Sequence, residues 1–100
     1  MSSATIEVIE ASNYRLKGDI THTSVPFLWQ QVMSLPFAVE QLEVSLQHTT
    51  RFDSAGLVML IHLLEHAKNR KCHIMLSFIP KQLEILIELY NLDSVIEKHI

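Results

Sequence analysis

The chain has 100 residues, 48% of them hydrophobic and 19% charged, with a net charge of −3. That describes one globular domain, residues 1–100, with a modest core, and it excludes a disordered chain and the basic patches that nucleic acids require. A single cysteine, Cys72, stands in an apolar run, so no internal disulfide framework is available and a reducing compartment is expected. Met1-Ser2-Ser3-Ala4-Thr5 lacks the basic and apolar regions of a signal peptide. The longest apolar run, around Leu57 to Leu64, is far shorter than the roughly 18 residues of a membrane span. A soluble cytoplasmic protein is expected.

Taken in order, Ile6, Val8, Tyr14 and Leu16 alternate with polar residues, predicting two short strands joined by a turn at Ala11 to Asn13, the second ending at Gly18-Asp19. Thr23 or Ser24 caps a helix that carries Pro26 in its first turn and Val25, Leu28, Trp29 and Val32 at helical spacing, and Pro36 closes it. Leu42, Val44 and Leu46 alternate with Glu43, Ser45 and Gln47 in a third strand. In the next helix Leu57, Leu60, Ile61, Leu64 and Ala67 form one stripe, with His62, Glu65, His66 and Asn69 on the opposite side. Cys72 to Phe78 reads as a fourth strand with Ile74 and Leu76 on one face. A helix from Pro80 to about Tyr90 follows, with Asn91 as a left-handed cap, and Asp93 to Lys98 make a short last helix. The order is partly of βαβ type, a sheet covered by helices, with no internal repeat.

The junction Arg51-Phe52-Asp53-Ser54-Ala55-Gly56-Leu57, where the third strand meets the long helix, concentrates the functional signals. Asp53 and Ser54 both suit an N-cap. Gly56 in the first turn costs about 1 kcal/mol of helix stability relative to alanine, and close approach by another molecule is one reason for it. Ser54 is then the hydroxyl expected to matter. The loops after the second and third strands, Asp19 to Ser24 and Arg51 to Ser54, are placed where sheets of this kind make contacts. Trp29, at the edge of its stripe, suits a binding anchor. The helix from Pro80 is apolar almost all round, with Leu83, Leu86, Ile87 and Tyr90 on one side and Ile85, Leu89 and Leu92 on another, so one set is either left to a partner or covered by the last helix.

Other chemistry finds little support. His62-Leu63-Leu64-Glu65-His66 matches the H-x-x-E-H pattern of one zinc protease class, but a zinc enzyme needs a third ligand and a cleft, for which a 100-residue domain has little room, and no metal is expected. With only Gly18 and Gly56 there is no glycine-rich phosphate cradle. Ser54 lacks the G-x-S-x-G elbow of a hydrolase. No catalytic residue and no cofactor are expected.

Phe52-Asp53-Ser54-Ala55-Gly56-Leu57 resembles the signature of the STAS domain family: an apolar residue, Asp, Ser or Thr, a small residue, Gly and Leu at a strand-to-helix turn. Leu16-Lys17-Gly18-Asp19-Ile20 resembles the family's early glycine-centred strand end, and the resemblance covers nearly the whole chain. It implies an α/β fold with a mixed four- to five-stranded sheet covered by about four helices. Pro26-Phe27-Leu28-Trp29, Leu60-Ile61-His62-Leu63-Leu64 and Leu89-Tyr90-Asn91-Leu92 look most like the branch that serves phospholipid ABC transporters of Gram-negative bacteria.

That likeness implies a non-catalytic cytoplasmic subunit, peripheral on the inner membrane, that binds the transporter's ATPase and through it the permease and lipid-binding subunits. It implies partner contacts by Ser54 with Asp53, Ala55 and Gly56, by Trp29, by Val58 and His62, and by Leu89 and Tyr90. The alternative from the same family is an anti-sigma factor antagonist switched by phosphorylation of Ser54. Two departures weaken that second carry-over: Ser45 stands where the family often has Asp, and Thr49 at a usually apolar position.

Overall fold

The computed structural model describes residues 4–100. Residues 1–3, where the stretch read for a signal peptide begins, lie outside the described residues. The first alternating runs form β1 (Ala4–Glu10) and β2 (Asn13–Ile20), an antiparallel pair. α1 (Val25–Met33) leads to β3 (Gln41–Phe52), which lies parallel to β2, and α2 (Ser54–Lys68) leads to β4 (His73–Ser77), parallel to β3. The chain ends with α3 (Lys81–Leu89), α4 (Asp93–Ile96) and a 3-10 turn at Glu97–His99.

The four strands lie in the order β1-β2-β3-β4. Both crossovers step one strand in the same direction, so right-handed connections put α1 and α2 on one face, where they touch each other. Alternation then sorts the side chains. Ile6, Tyr14, Leu16, Leu42, Val44, Leu46, Ile74 and Leu76 are buried beneath the helices. The other face is polar, with Glu7 bound to Arg15 at 2.8 Å and Glu43 to Ser77 at 2.7 Å.

Several expectations shift. Alternation assigns Val8 to the core, yet it is half exposed, at the end of β1 where the register shifts between Val8 and Glu10. α2 buries more than one stripe: Gly56, Met59 and Leu63 are also buried, since α2 lies on the sheet with α1 on one flank and α3 on the other. His66, expected on the solvent side, is half-buried as a result. Beyond α3, Asn91 takes φ 55° as expected for a left-handed cap. Tyr90, just before that reversal, is exposed, and Leu92, just after it, packs against the core.

The edges of the sheet are covered. The Gln31 side chain accepts from the Ile6 N–H at 3.1 Å and donates to the Ala4 carbonyl at 3.2 Å, so α1 supplies a strand-like rung to the edge of β1. At the other edge His99 donates to the Ile74 carbonyl at 2.7 Å and His73 to the Lys98 carbonyl at 2.9 Å, with the two rings stacked. Among the described residues no helix is long and apolar enough to cross a membrane.

Candidate functional site

β3 outruns β4. Its last residues pair only with β2, and where β4 has stopped the Gln82 side chain of α3 accepts from the Phe52 N–H at 2.9 Å. Phe52 pairs with Ile20, so the parallel strands deliver the β2–α1 and β3–α2 loops to the same end of the sheet. An extra residue on β3, between the pairs Gly18–Thr49 and Asp19–Arg51, is taken up where Gly18 has φ 89°, a left-handed conformation that favours glycine. The Thr50 hydroxyl then reaches the Asp19 carboxylate.

Asp53 joins the two loops. One carboxylate oxygen accepts from the Gly56 N–H at 2.9 Å and caps α2; the other accepts from the His22 N–H at 3.0 Å and the His22 ring at 3.2 Å. Burial alone would raise the Asp53 pKa, but these bonds outweigh it and hold the carboxyl below its ordinary value. Asp53 is therefore the N-cap, and Ser54 is the exposed first residue of α2. Ser24, expected as a cap, makes no side-chain cap bond. Its buried hydroxyl instead ties the β2–α1 loop together, bonded to the Asp19 and Thr21 carbonyls and to the Thr21 N–H.

Gly56 has an internal explanation. A Cβ there would lie 2.0 Å from the Ile20 carbonyl oxygen, so the glycine lets α2 sit on the end of β2. The molecule that approaches is the protein's own backbone, and Gly56 is buried rather than presented to a partner. Ala55 is half-buried beside it.

Ser54, Val58 and His62, spaced by four, form an exposed ridge along α2. Beside it Val25, Trp29, Val58, Met59 and His62 line a mostly apolar groove of about 290 Å³ between α1 and α2. Trp29 is half-buried, packed on the core with one side in the groove, in keeping with its place at the edge of the stripe. Its ring lies 6.3 Å from that of His62 and 5.5 Å from that of His66. Leu89 and Tyr90 are exposed but not brought to this groove. α3 starts beside the end of β3, where Gln82 bonds Phe52, and Leu89 and Tyr90 lie at its other end. Among the described residues no cluster of three or more His, Cys, Asp or Glu could hold a metal ion. Cys72 is buried, and burial raises its thiol pKa.

Sequence reasoning singles out Asp53, Ser54, Gly56 and Trp29 but misses His22, Phe37 and the inward turn of His66. Only the juxtaposition of the two loops gives His22 its partner.

A mixed sheet with helices on one face and a capped Asp-Ser-Ala-Gly turn where β3 enters α2 defines the STAS class of domain. The model of the family described as "Mlab, STAS domain" matches residues 8–97, and the chain belongs to that family. The sequence finds no match among curated proteins. Among solved structures it is similar to one described as "Crystal Structure Analysis of Mglu", with a TM-score of 0.59 and 11% identity over 77% of this chain. The chain spans only 19% of that structure's length, and the likeness is one of fold.

Proposed function

We propose that this domain is a non-catalytic accessory subunit of a phospholipid ABC transporter that maintains outer-membrane lipid asymmetry. It docks from the cytoplasmic side of the inner membrane on the MlaF-like ATPase, and through it joins the permease and lipid-binding subunits. The observation that carries this reading is the exposed Ser54–Val58–His62 ridge bordering the Trp29 groove. An apolar slot with a half-buried tryptophan and a polar rim has the make-up of a protein-binding hot spot, and membership of the MlaB-like STAS family supports the kind of partner. Ser54 acts by close contact at the helix N-terminus, and the subunit favours the competent state of the ATPase by binding it. The test is a tagged pull-down from native membranes and cytosol with wild type, Ser54→Ala and Trp29→Ala. An ABC ATPase and its permease are expected with wild type, in reduced amount with both variants. A soluble serine kinase or sigma-factor regulator in their place would sink this reading.

One observation favours the second reading, an anti-sigma factor antagonist. The Ser54 side chain is exposed at the first helical position and is not consumed in capping, which leaves it open to a kinase. Its phosphate would add about −1.5 to −2 charges beside the ionised Asp53. Stoichiometric phosphoserine at position 54 in protein from the native host would support this branch.

A further inference from the structure

Trp29 is the chain's only tryptophan, and its ring is held by a row of others. Tyr14 of β2 meets Phe37 at 5.5 Å between ring centres, Phe37 meets His66 of α2 at 5.3 Å, and His66 meets Trp29 of α1 at 5.5 Å, all edge to face. Phe37 is buried with φ 45°, a left-handed conformation uncommon for such a residue, and in it the turn after Pro36 presents this ring. The row therefore runs from the core of the sheet to the wall of the groove.

His66 is the link between the fixed end and the groove. Its Nδ1 lies 3.2 Å from the Arg70 guanidinium, which can only donate, so Nδ1 accepts and the proton sits on Nε2. Nε2 is buried with no nitrogen or oxygen partner, on a ring packed against both Phe37 and Trp29. Burial, and then the Arg70 charge, hold the His66 pKa below the usual histidine value. The ring is thus a neutral wedge.

We propose that His66 is the positioning residue of the docking surface: its ring, set as the Nε2–H tautomer by Arg70 and packed against Phe37 and Trp29, fixes the Trp29 indole in the wall of the α1–α2 groove. This rests on the reading of that groove as the ATPase contact. The two are tested separately, the first on the isolated domain.

In the wild-type domain, ¹⁵N–¹H correlation of the imidazoles is expected to show His66 as the Nε2–H tautomer. The Nδ1–H tautomer would overturn the proposal whatever the variants do. In His66→Ala the near-UV circular dichroism of Trp29 is expected to collapse and its emission to shift to the red. His66→Phe, which keeps an aromatic edge, is expected to retain both. Affinity for the transporter's purified ABC ATPase should fall tenfold or more in His66→Ala and recover to within about threefold in His66→Phe. An unchanged Trp29 spectrum in His66→Ala would refute the positioning role. If the spectra change as expected but the wild type binds no ATPase, the functional reading fails and the positioning role stands.

Discussion

Gly56 and Ser54 are two residues apart, and the structure gives them opposite sensitivities. Gly56→Ala gains about 1 kcal/mol of helix propensity but sets a Cβ 2.0 Å from the Ile20 carbonyl, backbone that cannot rotate aside. A net loss of about 1–3 kcal/mol is expected, read as a lower urea midpoint. Ser54→Ala, exposed and outside the cap, should stay within about 0.5 kcal/mol of wild type. The pH dependence also belongs to single residues. The folded pKa of His66 lies below its ordinary 6.5, so the folded state binds fewer protons than the unfolded one. Its contribution is complete above that value and is lost as pH falls below it towards the folded pKa. Asp53, held below its ordinary 3.8, contributes in the same sense further into acid. Urea midpoints against pH should therefore decline below pH 6.5 in wild type and less steeply in His66→Phe; identical slopes would contradict the assignment.

At the scale of elements, the sheet depends on helix side chains to finish its edges. Gln31 bonds Ala4 and Ile6 from α1, and Gln82 bonds Phe52 from α3. Gln31→Ala removes the rung on β1 and should cost about 1–2 kcal/mol. Amide hydrogen exchange is expected to quicken at Ile6 while Val44, in the centre of the sheet, stays protected, because opening an edge strand is local. If exchange accelerates equally across β3, the edge and centre open as one unit. The repeating alternation that reveals the strands carries no sign of these contacts. A glutamine on a helix reads as a solvated residue until the neighbouring edge is known.

Across the whole molecule, exposed apolar residues fall in separate places. Val58 lies by the groove beside the half-buried Trp29, while Leu89 and Tyr90 lie at the far end of α3. Trp29→Ala, at a half-buried site, should cost about 2 kcal/mol, less than truncation of a fully buried tryptophan, and should weaken ATPase capture at temperatures where the domain remains folded. Leu89→Ser should leave stability nearly unchanged, since its side chain is 68% exposed. Its effect on capture decides whether the partner reaches from the groove to the far end of α3: an effect as large as that of Trp29→Ala would mean that it does.

The sequence by itself determined the order of strands and helices, the Asp53-Ser54 turn and the family, because hydrophobic period and capping are local and the signature is contiguous. It also marked Gly56 as a residue needing a reason. Tertiary structure alone supplied the reason, since the Ile20 carbonyl is distant in the chain. It alone also chose Asp53 over Ser54 as the cap, joined Asp53 to His22, and turned His66 inward to Trp29. Each of these depends on which strand ends lie side by side and which helix flanks are covered, and periodicity along one element does not specify its neighbours.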